Sequence, residues 1–151
     1  MSKGIRIAGH PLHSAIVHFP MALLPAATAC DIIALVTADP FWWSMAFWSL
    51  VAGQAAALVA ATAGFVDYIA IPPEDPASSV ALRHMIVVGT AVVIYLARLI
   101  IGPHAAAGVP ADPTILLILS LAGALVLLAG GWLGGTLVYR HGIGVDRKQE
   151  L

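Results

Sequence analysis

Four long apolar runs, separated by short proline-bearing breaks, constrain this chain more than any other feature. They cover about 14–36, 41–71, 80–101 and 114–139. Each meets the roughly 20 residues that a helix needs to cross a hydrocarbon core. The breaks carry turn chemistry: Thr37-Ala-Asp-Pro40, Pro72-Pro-Glu-Asp-Pro76, and the stretch from Gly102-Pro103 to Asp112-Pro113. In lipid, backbone N–H and C=O groups must be satisfied within the protein, which leaves helices or a closed barrel. These runs are continuous and rich in Ala and Leu, without the alternation of barrel strands. The expected fold is all-α: a four-transmembrane-helix bundle, one domain over 1–151, with no soluble linker and no clear internal repeat.

Composition agrees. Charged residues make up 10% of the chain, against about 25% in soluble domains, and mean hydropathy is +0.94. The formal net charge of −1 gives no field that would recruit nucleic acid. Cys30 is the single cysteine, so neither an internal disulfide nor a thiolate zinc cluster is expected. The first run is broken by Pro20 and Pro25 and lacks a small-residue cleavage site; it reads as a retained helix. Pro20 either kinks that helix or sits in its first turn.

With four spans, the N-terminus, the second loop and the C-terminus share one side. That side holds Lys3, Arg6, Arg83, Arg140, Arg147 and Lys148, whereas Arg98 stands alone toward the other. The positive-inside rule then places both termini in the cytoplasm. Trp42, Trp43 and Trp48 read as anchors at the outer interface, with Trp132 and Tyr139 toward the inner one.

This topology gathers the histidines. His10, His13 and His18 fall at the inner end of span one, His84 at the inner start of span three, and His141 just past span four. Only His104 lies outside. Asp67 and Tyr68 end span two on the same side. Asp31, inside an apolar run, needs a partner, and Arg98 is the expected one. His18 precedes Asp31 by 13 residues and His84 precedes Arg98 by 14, about 20 Å of helix in each case. A structural ion pair between Asp31 and Arg98 would therefore leave His18 and His84 at matched depth. Two imidazoles so placed on facing helices suit the axial positions of a b-type haem. Arg83 and Arg140 would answer its propionates. His13 lies about 140° around a regular helix from His18; it and His141 are reserve ligands.

Span four carries Ala129-Gly-Gly-Trp-Leu-Gly-Gly135, two overlapping small-xxx-small pairs that permit close packing or leave room for a flat macrocycle. Gly53-Gln54 and Gly64 in span two are weaker versions of the same signal.

The order of these motifs resembles the DUF2231 family of small bacterial membrane proteins. The matching pieces are His10-Pro-Leu-His13 with Val17-His18-Phe-Pro20, Asp31, Gly64-Phe-Val-Asp67, Arg83-His84, Arg98, and Gly131-Trp-Leu-Gly-Gly135 followed by Leu137 to Val145. Together they run through nearly the whole chain. Thr136 departs from the pattern, standing where many relatives carry an acidic residue. The resemblance implies a bacterial cytoplasmic membrane location, and relatives joined to Rieske-type iron–sulfur domains imply redox traffic.

The reading that follows is a membrane b-type cytochrome-like electron-transfer protein or subunit, with haem near the cytoplasmic face. Its partners would be the lipid bilayer, quinone or a redox protein, and further copies or subunits of a membrane complex. Two alternatives stay open: a protein that binds or transports a transition metal (copper, zinc or iron), and a structural accessory subunit. Nothing in the chain resembles a hydrolase triad, a phosphate loop or paired catalytic carboxylates.

Overall fold

The computed structural model describes residues 4–102, 110 and 112–145; Lys3, His104, Arg147 and Lys148 lie outside the described residues. A two-strand hairpin opens the chain, β1 (Arg6–Ile7) pairing antiparallel with β2 (His10–Pro11). Its tip, Ala8-Gly9, has positive φ at both residues, the two-residue turn that suits strand twist. This small strand pair departs from the all-helical expectation. The two residues per strand suffice only to fold the chain back on itself before the first helix.

Among the described residues five helices follow: α1 (Leu12–Ile16), α2 (His18–Thr37), α3 (Pro40–Ile69), α4 (Pro76–Ile101) and α5 (Thr114–Tyr139). Taken with α1 and α2 as one span, four are long and apolar enough to cross a membrane. The proline breaks act as start signals. Asp39 accepts a hydrogen bond from the Phe41 N–H at 2.9 Å, and Asp75 one from Ala77 at 2.8 Å, each ahead of a proline at the first helical position. Asp112 does the same for Thr114 at 2.9 Å.

α1 and α2 part at Val17. Pro20 has no N–H to give the Ile16 carbonyl, so the regular ladder fails at that point. Pro20 thus lies in the first turn of α2, with a separate short helix ahead of it.

α2 packs against α3 and α5, and α4 packs against the same two, so α2 and α4 face each other across the bundle. The core is narrow: Leu24, Ala27, Leu50, Ala91, Tyr95 and Leu127 are at most 2% exposed. Alanine and glycine fill most remaining buried positions, which lets backbones approach closely. Larger apolar residues such as Leu58, Val93, Leu125 and Leu128 face outward, as lipid requires.

One buried polar cluster ties the α2–α4 diagonal near the C-terminal ends of those helices. Arg98 donates to both Asp31 oxygens, Nε to Oδ2 at 3.0 Å and Nη2 to Oδ1 at 2.5 Å. Ser120 of α5 donates to Asp31 Oδ2 at 2.5 Å. Thr28 Oγ1 donates to the Ser120 carbonyl at 3.2 Å, so the Tyr95 hydroxyl, 2.8 Å away, donates to Thr28. Arg98 and Asp31 are both 0% exposed. The Arg98 guanidinium also lies 5.8 Å from the Trp43 ring centroid. Trp43 is 2% exposed and part of the core, not an anchor in the lipid interface, whereas Trp48 is exposed. The cation draws Trp43 inward where hydropathy alone would have left it at the rim.

Candidate cofactor site

At the opposite end of the same diagonal sit two histidines in matching seats. His13, on α1, has Nδ1 2.8 Å from the Ala60 carbonyl of α3. His84, on α4, has Nδ1 2.9 Å from the Gly130 carbonyl of α5. A carbonyl can only accept, so in each ring Nδ1 carries a proton, which in a neutral imidazole leaves the lone pair on Nε2. Both seats lie at the same end of the bundle, near the start of α1 and of α4.

Each seat is finished by a glycine one helical turn beyond the accepting carbonyl. A Cβ on Gly64 would stand 2.9 Å from His13 Cε1 and Nδ1; one on Gly134 would stand 3.1 Å from His84 Cε1. The rings occupy the volume that side chains would take. We expect Gly64→Ala to push the His13 ring off Ala60, at a cost of about 1 kcal/mol. The check is the His13 Nδ1 proton in NMR of the full protein, which should broaden or exchange faster in the variant.

The two seats are copies. His84 follows His13 by 71 positions, and Tyr95 follows Leu24 by the same 71; Gly123, Gly130 and Gly134 follow Gly53, Ala60 and Gly64 by 70. The contacts repeat as well. A Cβ on Gly53 would meet Leu24 at 2.7 Å, and one on Gly123 would meet Tyr95 at 2.9 Å. The hairpin of α1, α2 and α3 is thus echoed by the hairpin of α4 and α5, and each half seats one histidine at the same end of the bundle. The sequence shows no clear repeat because few positions carry it and interchangeable apolar residues fill the rest.

The other expected site residues are placed differently. His18 is exposed at the start of α2, on a different side of the chain from the seated His13. Arg83 and Arg140 are exposed, and His141 is half-buried in the turn after α5. His10 is exposed on the hairpin. Asp67 packs beside Gly4, where a Cβ would collide with its carboxylate. Tyr68 packs beneath the Ala77, Ala81 and Leu137 cluster. Among the described residues, no three His, Cys, Asp or Glu side chains converge as a metal-holding group. Of the expected ligands, His13 and His84 are the two whose rings are seated against a neighbouring helix. Sequence reasoning passed over their carbonyl acceptors, which are backbone atoms, and gave the glycines a role in close packing or in leaving room for a macrocycle, not in seating imidazole rings.

A model of predicted membrane proteins, DUF2231, matches residues 9–147. The chain belongs to the DUF2231 family. No curated protein and no solved structure matches it. The match includes both histidine seats, the Asp31–Arg98 pair and all four spans, so the DUF2231 region takes in the whole described bundle apart from the first turn of chain.

Proposed function

We propose that this protein is a b-type cytochrome-like electron-transfer protein or subunit of the membrane, with His13 and His84 as the axial ligands of one haem. The observation that carries the reading is the pair of seats. Two imidazoles sit at the same end of the bundle, one on α1 and one on α4, each held through Nδ1 by a backbone carbonyl of the neighbouring helix. A hydrogen bond from the second ring nitrogen is the usual way a ligating histidine is oriented and made more basic. Gly64 and Gly134 keep side chains away from both rings. Two donors are enough for a macrocycle that brings four nitrogens of its own, whereas a bare copper, zinc or iron site wants a third protein ligand.

Haem, when bound, supplies a one-electron couple. The chain holds the rings, sets their basicity through Ala60 and Gly130, and offers Arg83, the exposed neighbour of His84, as a cation for a propionate. Core residues Leu24, Leu50 and Leu127 separate this end from the Asp31–Arg98 cluster, which weighs against a polar transport path. With both termini cytoplasmic, as the Lys and Arg distribution favours, electrons pass at the inner face of a bacterial cytoplasmic membrane, to or from quinone or a redox protein. A reduced-minus-oxidised absorption spectrum of protein produced with ample haem tests the reading. Sharp Soret and α bands are expected. A colourless protein that carries stoichiometric copper, zinc or iron by elemental analysis would replace it with the metal-binding alternative.

A further inference from the structure

The geometry points to a quinone-binding groove between α2 and α5, separated from the His84 seat by helix backbone alone. This deepens the haem reading and rests on it for its redox step. The groove, about 560 Å³ and open to the side, is lined by Met21 of α2 and by Gly131, Trp132, Gly135, Tyr139 and Arg140 on α5 or at its end. Its position follows from the glycine pairs of α5. Gly130 gives its carbonyl to His84 and Gly134 packs on the His84 ring. Gly131 and Gly135, the next residue in each case, line the groove. No side chain thickens the wall there, and the Cα cylinder of a helix is only about 5 Å across.

The lining suits a flat ring with polar oxygens. Trp132 and Tyr139 are 78% and 90% exposed, two turns apart on one face of α5, and offer aromatic surface for stacking. Arg140, at the membrane-surface end, complements an oxygen that carries negative charge. The Thr136 hydroxyl donates to the Trp132 carbonyl at 3.1 Å and keeps lone pairs that a quinol O–H can use. The apolar remainder, with Met21 and Leu128, fits an isoprenoid-type tail. A quinol docked here would supply two electrons and two protons; the seated histidines would hold a one-electron acceptor, so one quinol would serve two protein molecules in turn, with both protons released to water at the membrane surface.

Gly135→Leu is the test variant. A Cβ at Gly135 would have the Tyr139 ring, 3.9 Å away, as its nearest neighbour, so leucine fills the groove without disturbing the bundle. The full-length protein in nanodiscs, with and without haem, is titrated with a decyl-substituted benzoquinone while tryptophan fluorescence is followed. Saturable quenching is expected in both forms, lost in Trp132→Phe and weakened by at least about tenfold in Gly135→Leu. Thermal unfolding of Gly135→Leu should match the parent protein. In haem-loaded protein, the rate of haem reduction by the corresponding quinol should fall in Gly135→Leu by a similar factor. Quenching that does not saturate, that is unchanged in Gly135→Leu, or that anionic phospholipid abolishes by competition would overturn the assignment. If haem is never taken up but saturable, Gly135-dependent quenching persists, the haem reading has failed and the groove stands. Bound haem with no such quenching has the opposite meaning.

Discussion

Replacing Arg98 by leucine will destabilise the folded protein by about 3–5 kcal/mol, because Asp31 is left charged and enclosed. Asp31 is 0% exposed and draws on three donors, two from Arg98 and one from Ser120. With Arg98 gone, Ser120 alone remains. Asp31→Leu should be comparably harmful, since it strands the guanidinium. The Asp31→Leu/Arg98→Leu double variant should be more stable than either single variant, because a buried pair replaced as a unit loses its Coulomb energy and its desolvation penalty together. Unfolding in mixed micelles measures all three, and Trp43, stacked near Arg98, is a built-in reporter. Single-variant effects under about 1 kcal/mol would mean that water reaches the cluster in the membrane.

His13→Ala and His84→Ala should each lower haem content by more than about tenfold, since losing even an orienting partner costs 10- to 100-fold in affinity at metal sites. His18→Ala should retain haem at the parent level. The contrast separates an axial pair built from seated rings from one built by counting depth along a regular helix. Neither seated histidine belongs to the buried cluster at the other end, so both variants should keep the parent's unfolding transition to within a few kcal/mol in haem-free protein. The measurement is haem per protein by pyridine haemochrome on purified samples, with circular dichroism to verify helix content. Haem loss in His18→Ala with retention in His13→Ala would return the ligand role to His18.

The bundle was legible because lipid leaves so few options. Apolar run length fixed the number of spans, and the Asp-Pro pairs at Asp39, Asp75 and Asp112 marked where helices start. The partnership of Asp31 and Arg98 follows from the cost of an unpaired charge in an apolar run; it requires their helices to come together, which the hydrogen bonds between α2 and α4 show that they do. The histidine seats were harder to see. Depth counting ran from His18 to Asp31, both inside α2, and so favoured His18 and made His13 a reserve; His13 belongs to the short α1 ahead of the interruption at Val17, where counting along one helix does not fix the direction of a ring. The acceptors on Ala60 and Gly130 are backbone carbonyls, invisible to any reading of side chains. Gly134 was visible as a glycine that permits close packing or leaves room for a macrocycle, but nothing in the sequence says that the object packed against it is an imidazole ring. Trp43 misled for a similar reason: its place in the core depends on the Arg98 cation from a helix more than 50 residues away.

The most direct measurement is low-temperature electron paramagnetic resonance of the oxidised, haem-loaded protein. Two neutral imidazoles on ferric iron give a low-spin signal, and the account predicts that signal as the dominant species, converted to high spin in whatever haem His13→Ala retains. A predominantly high-spin signal in the parent protein, or a low-spin signal that survives loss of the His13 ring, would contradict the pairing of His13 with His84.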